Sequence, residues 1–439
     1  MSKQARTILF YLLVFIFIII TPMVLFYSEG YRFDFETKKI IETGGFYIKT
    51  NPEEVNISIN DKIKKTTSNF SRNVLIQDLT PKTYNIKISK DGYFSWEKNL
   101  EITEKKVSEV DVTLFKDSYE KKLINENILN LFEIKDGFII EKETGYYYYN
   151  PENNKEELIT EVVNWNDVQI LKNELLFQKN GIYYTKTEEI EVNGQYNFQK
   201  DNLDNLYYLI DDNLYKNNKI IKTKINLYGL NNNTIYYFRD GFLYRENAKL
   251  ITNEFLFAEN KFYELIFSND LIFLNENNEK LYLLKDEMFE KIITLNNCFE
   301  YSEWDGKILI NTGNEIWAYF SKETYYPEFI QKDTLKLIAR FQNKIRDLHF
   351  INDKYYLFVK DGHLIVSEFD YRDKINIFTI ANNSESSKTF FNYDNKNIYI
   401  FEDNNLYSVN KILQQSVFFI DENLYNIWFS PISFLFRRQ

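Results

Sequence analysis

The chain has a single cysteine, Cys298, and only two histidines, His349 and His363. One cysteine cannot close an intrachain disulfide, and there is no C-x-x-C pair to hold zinc. Two histidines cannot build a His-rich metal site. Glycine (13), proline (6) and methionine (3) are also scarce. With so little glycine, most tight turns fall to Asn and Asp, which tolerate positive φ better than other residues. Basic residues are outnumbered: the formal net charge is −11 and the pI about 5.1. That balance argues against a broad nucleic-acid-binding surface. Function therefore has to rest on carboxylates, amides and aromatics, or on surface shape.

Aromatic residues are abundant: Trp, Tyr and Phe together make 18% of the chain, with 34 Tyr and 38 Phe. Both favour pleated, half-buried surfaces, so the composition leans towards β structure. The accompanying excess of Asn, Ile and Lys is also what an AT-rich genome would encode. A chain of 439 residues suits two or three domains, and 44% hydrophobic content is enough to bury their cores.

The strongest local signal is Ile8 to Tyr27, ILFYLLVFIFIIITPMVLFY, which carries no charge. At about 1.5 Å per residue it covers roughly 30 Å, the thickness of a bilayer core. A cleaved signal peptide would have a shorter apolar core and a small-x-small exit, whereas Val24 to Gly30 reads VLFYSEG. No cysteine follows to carry a lipid. The expectation is an uncleaved signal anchor that holds the protein in the lipid bilayer. Residues 1–7 carry Lys3 and Arg6, while Glu29, Asp34 and Glu36 dilute the basic residues beyond the span. The positive-inside rule then keeps the N-terminus cytoplasmic and the bulk of the chain outside.

Residues 28–43 read as a linker. From Gly44 to Leu114 apolar residues alternate: Phe46 and Ile48; Val55, Ile57 and Ile59; Ile86 and Ile88; Val110, Val112 and Leu114. Period two marks strands with one buried face. Asn60-Asp61-Lys62 and Asp91-Gly92 read as turns, so five or six short strands fill a small β-sandwich over 44–115. Pro52-Glu53-Glu54-Val55, Ile57-Ser58-Ile59-Asn60-Asp61-Lys62, Leu79-Thr80-Pro81-Lys82-Thr83-Tyr84 and Asp91-Gly92-Tyr93-Phe94-Ser95-Trp96 follow one another in order. In that order and spacing the segment resembles the PEGA domain family. It departs from the family where Glu53 and Glu54 replace the namesake Gly and Ala, and where Lys82 replaces a turn glycine. The resemblance implies a bacterial or archaeal surface setting and no catalytic residues. Tyr84, Tyr93 and Trp96 are expected to pack in the core and hairpin, with sugar stacking by Trp96 as the alternative.

Residues 116–439 repeat. Three strand-like runs separated by Asn/Asp/Gly turns recur eight times, beginning with ILNLFEI, GFIIEK and YYYYN at 128–150 and ending with KTFFNY, NIYIFE and NLYSVN. A fourth short run follows most units, as in EELIT (156–160) and EKIITL (290–295). Units of this length and strand count predict an eight-bladed β-propeller, with seven blades as the alternative and a β-solenoid as the competing architecture. Lys121 to Ile124 resembles the fourth runs yet precedes the first unit. It is the natural strand to close the ring by joining the last blade. Blades must stack to bury their faces, and aromatics fill the gaps between them.

No catalytic or nucleotide-binding signature occurs, neither G-x-S-x-G, H-E-x-x-H nor a phosphate loop. His349 and His363 are expected to be structural. Asp347, Glu368 and Asp370 come nearest to a carboxylate cluster, and a solvated or salt-bridged role is expected of them. Ile432 to Arg438 is apolar then basic, expected to dock on the last blade or to touch the membrane interface. No catalytic, cofactor or metal residue is nominated. The expected function is non-catalytic binding or scaffolding in the cell envelope, through a protein or glycan partner of the propeller. The competing class is an extracytoplasmic carbohydrate-active hydrolase or lyase. Its mark would be two channel carboxylates about 5–9 Å apart beside stacked aromatics.

Overall fold

The computed structural model describes residues 3–28, 30–34, 38–68, 71–134, 136–161, 167–171, 174–179, 182–184, 189–191, 197–268, 270–410 and 412–413. The segment Ile432 to Arg438 lies outside these residues.

A helix, Lys3–Ser28, opens the chain. Its stretch Ile8–Ser28 is long and apolar enough to cross a membrane, and none of it is buried against protein. The helix ends on Arg32, whose guanidinium sits 3.5 Å over the Tyr27 ring and donates to the Tyr27 carbonyl at 2.7 Å. A cation there satisfies an end-of-helix carbonyl and complements the negative end of the dipole. The segment 28–43, read as a linker, contains an antiparallel hairpin of Tyr31–Asp34 and Lys39–Glu42. Ion pairs Arg32–Asp78 (2.6 Å) and Lys105–Glu42 (2.6 Å) tie it to the sandwich.

Two sheets form that sandwich. Asn73–Leu79, Gly44–Asn51 and Val107–Thr113 make one; Ile63–Thr66, Asn56–Ile59, Thr83–Ser89 and Trp96–Glu101 make the other. There are seven strands instead of the expected five or six. The surplus includes Ile63–Thr66, an edge strand with mostly exposed residues and hence no apolar alternation to read. The alternating residues Phe46, Ile48, Ile57, Ile59, Ile86, Ile88, Val110 and Val112 are all buried between the sheets. Gly44–Asn51 pairs antiparallel on one side and parallel to Val107–Thr113 on the other. Gly45 is required at this crowded centre: a Cβ there would lie 2.5 Å from the Ile76 carbonyl oxygen.

Eight four-stranded antiparallel sheets follow. Blades 1 to 7 occupy residues 130–161, 167–191, 199–223, 227–249, 263–294, 300–340 and 345–382. Blade 8 takes three strands from 388–409, and its fourth is Lys121–Asn125, paired with Asn405–Val409. This is the closure anticipated from sequence. Apolar clusters join each blade to the next and blade 8 to blade 1, where Tyr399 and Leu406 pack with Phe138 and Ile140. That last contact closes the ring. Tyr and Phe fill the wedges, as in Tyr183–Phe198 between blades 2 and 3 and Tyr236–Phe267 between blades 4 and 5. Turn chemistry follows composition: Asp211-Asp212, Asn217-Asn218, Asn277-Asn278 and Asp403-Asn404 all have positive φ at both positions. Paired positive φ is the two-residue hairpin turn that suits the strand twist.

Candidate functional site

Two places concentrate buried chemistry: the seam between sandwich and propeller, and the propeller axis.

At the seam the sandwich and blades 7 and 8 share one apolar core. Phe115 meets Tyr355 and Phe378 with ring centroids 5.1 and 5.4 Å apart. Within this apolar shell lies a charged cluster. Trp96, Lys98 and Leu100 fall on the buried face of one strand. Trp96 donates its indole N–H to Glu368 at 2.6 Å. Lys98, fully buried, lies 3.0 Å from Glu368 and 3.5 Å from Asp370, and donates to the backbone carbonyls of Asp370 and Arg372. Arg372 pairs with Asp370 at 2.7 Å and donates to the Glu109 carbonyl at 3.0 Å. Asn376 completes the shell on Glu368 through its backbone and side-chain N–H groups. Two cations and two carboxylates balance. Burial raises the Glu368 carboxyl, against the opposing pull of Lys98. Buried charges persist only when paired and fully hydrogen-bonded, and these are. The cluster fixes orientation; it offers no open face for a substrate.

The structure thus separates the three carboxylates that lie near one another in sequence. Glu368 and Asp370 are ion-paired at the seam and shielded from solvent. Asp347 lies on the axis, paired with Arg346 at 2.8 Å. Trp96 is only 1% exposed, which removes any sugar-stacking surface, and its partner is the propeller instead of its own hairpin. His363 is exposed, with Nδ1 2.9 Å from Asn382 Oδ1.

The axis holds a cavity of about 700 Å³ lined by the first strands of blades 1, 4, 5, 6, 7 and 8. Asp347 accepts the Thr389 backbone N–H at 2.9 Å, and His349 Nε2 lies 3.3 Å from the Thr389 carbonyl. Burial lowers the His349 imidazole, so it is neutral at physiological pH and Nε2–H donates. The two side chains satisfy the Thr389 backbone on the inner edge of blade 8, which would otherwise be left unpaired. Glu300 is occupied in the same way, accepting from Asn311 and from the Leu348 amide. Phe299 and Tyr301 stack on the cavity wall with centroids 5.8 Å apart.

Burial, resisted by the Arg346 charge and aided by Glu300, pushes the Asp347 carboxyl up to about 6. Its contribution to stability is full below the unfolded value, about 4, and is lost as pH rises through about 6. The Asp347→Asn chain cannot titrate there. Relative to it, wild type is expected to lose up to about 3 kcal/mol between roughly pH 4 and 7. Urea unfolding of both chains across this range reads the difference, and parallel pH profiles would refute it.

The PEGA domain family matches residues 43–118. Residues 43–118 are a PEGA domain. No curated protein matches the chain in sequence. Among solved structures, BamB from Moraxella catarrhalis is 10% identical, with a TM-score of 0.41 over 66% of this chain and 96% of its own. Streptogramin B lyase is 10% identical, with a TM-score of 0.39 over 66% and 96%. A computationally designed protein, Ika8, is 10% identical, with a TM-score of 0.41 over 67% and 98%. Likeness this distant transfers no activity, and the blade count rests on the eight sheets themselves. The PEGA domain contributes Trp96 and Lys98 to the seam, so the module is built into the propeller's flank.

Proposed function

We propose that this protein is a single-pass, membrane-anchored extracytoplasmic binding protein whose propeller recognises another envelope protein or a glycan without catalysing a reaction. The supporting observation is the buried seam. It fixes the propeller on the PEGA domain, and the PEGA domain is tied in turn to the base of the apolar helix, so the propeller faces are presented in a set orientation. The loops at those faces supply the recognition surface. The negative net charge favours basic or neutral partners over anionic polymers. A hydrolase is less well supported, because Asp347 and Glu300 already accept hydrogen bonds that hold the inner strands.

Two experiments test the reading. Leu256 is 77% exposed on the propeller. In a Cys298→Ser background, Leu256→Cys is expected to react with a membrane-impermeant maleimide on intact cells; labelling only after lysis would reverse the orientation. The detergent-solubilised full chain is then applied to a glycan array and to crosslinked membrane extracts. Saturable capture of one glycan or one envelope protein is the expected result. Turnover of a polysaccharide that is abolished by Asp347→Asn would replace binding with catalysis.

A further inference from the structure

Among the described residues, the axial cavity is lined by four carboxylates and by no lysine or arginine. They come from four blades: Glu133 of blade 1, Glu264 of blade 5, Glu300 of blade 6 and Asp347 of blade 7. Arg346 balances Asp347, but among the described residues no cation acts on Glu133 or Glu264. Their side chains reach channel solvent, while the protein crowded around them holds both carboxyls above the usual range. A confined channel of one sign with low-dielectric walls concentrates the opposite charge.

A second observation is independent of charge. Thr389 lines the same cavity, is 2% exposed, and its Oγ1 has no hydrogen-bond partner among the described residues. A buried hydroxyl left unsatisfied keeps its desolvation penalty, which a bound donor would recover. The Phe299–Tyr301 stack adds ring faces that attract cations. A single metal ion does not fit, because among the described residues no three His, Cys, Asp or Glu side chains converge on one point. An elongated organic cation does fit, since its charges are spaced along a flexible apolar stem. Ammonium groups only donate, and every polar group named here can accept.

We propose that the propeller channel binds a free aliphatic polyamine, with ammonium groups at Glu133 and Glu264, a hydrogen bond to Thr389 Oγ1, and methylenes against Phe299 and Tyr301. This site is separate from the outer-face recognition proposed above, and neither depends on the other.

The test is calorimetric titration of spermidine into the full chain in lipid nanodiscs. Saturable one-to-one binding is expected. Glu264→Gln and Thr389→Val are each expected to weaken it about tenfold or more, the scale of one charge-assisted hydrogen bond. Glu290→Gln, an exposed position on an outer strand, should leave it unchanged. Melting curves establish that each variant is folded. Equal weakening by Glu290→Gln, no saturable binding, tighter binding of calcium at the same site, or binding of oligolysine but not spermidine would each overturn the proposal.

Discussion

Replacing Lys98 with methionine is expected to destabilise the folded chain by about 3–5 kcal/mol, the cost of removing one partner from a buried ion pair. Methionine preserves the packed stem of the side chain, so the loss isolates the charge. Glu368 and Asp370 would remain buried with Arg372 as their only cation, and the carbonyls of Asp370 and Arg372 would lose their donor. Adding Glu368→Gln removes the surplus negative charge and should restore a large part of the loss. Urea unfolding of both single variants and the double variant gives the coupling directly. Calorimetry gives a second readout. Wild type is expected to unfold in one transition, because the PEGA domain and blades 7 and 8 share one core. Lys98→Met should split off an earlier PEGA transition. Equal stability of wild type and Lys98→Met would refute the locked seam.

Two consecutive prolines at Lys122 and Leu123 are expected to open the ring. These residues pair with Ser408 and Tyr407 in the strand that closes blade 8. Along an antiparallel strand successive N–H groups point to opposite sides, so two adjacent prolines must remove at least one ladder hydrogen bond. Proline also fixes φ near −65°, well short of the extended φ of a paired strand. Opening exposes the edge of Asn405–Val409 and loosens the contact of blade 8 with blade 1. The measured signs should be rapid proteolysis near residue 400, lower denaturant resistance and concentration-dependent association through the free edge. Prolines at the exposed outer-strand pair Glu156 and Glu157 of blade 1 serve as the control. They break the ladder of another outer strand, a longer one, but leave the ring closed, and should cost less. Equal loss in both variants would show that closure adds nothing.

Much of the fold was legible because it is written in local periodicity. Alternation at Phe46, Ile48, Ile57 and Ile59 found the sandwich, and repeated hairpins found the blades. Misses occurred where the local pattern fails. The fourth strand of blade 6, Thr334–Arg340, follows a 13-residue insertion at 321–333 and falls outside the usual spacing. Gln199–Lys200, the inner strand of blade 3, has two residues and no period to detect. Lys98 did leave a trace: it alternates with Trp96 and Leu100 on a face that period two assigns to the core. A lysine in such a position signals a buried partner but cannot say which.

The sequence by itself marked out the apolar helix, the PEGA domain, the repeated hairpins of the blades and the strand that closes them, while leaving seven blades open beside eight. The first three depend on residues within a few tens of positions of one another, where hydrogen-bond ladders and side-chain alternation act; the closing strand, whose Lys121 pairs with distant Val409, was legible only as a fourth run left over ahead of the first unit. Only the tertiary structure decided what Trp96, Lys98, Glu368, Asp370 and Asp347 do. The Trp96–Glu368 bond spans 272 residues, and nothing in either local pattern selects the other. Burial of a charge is decided by what packs over it, and here the cover comes from another domain. The axial cavity follows the same rule: its carboxylates come from four blades and meet only because the ring closes.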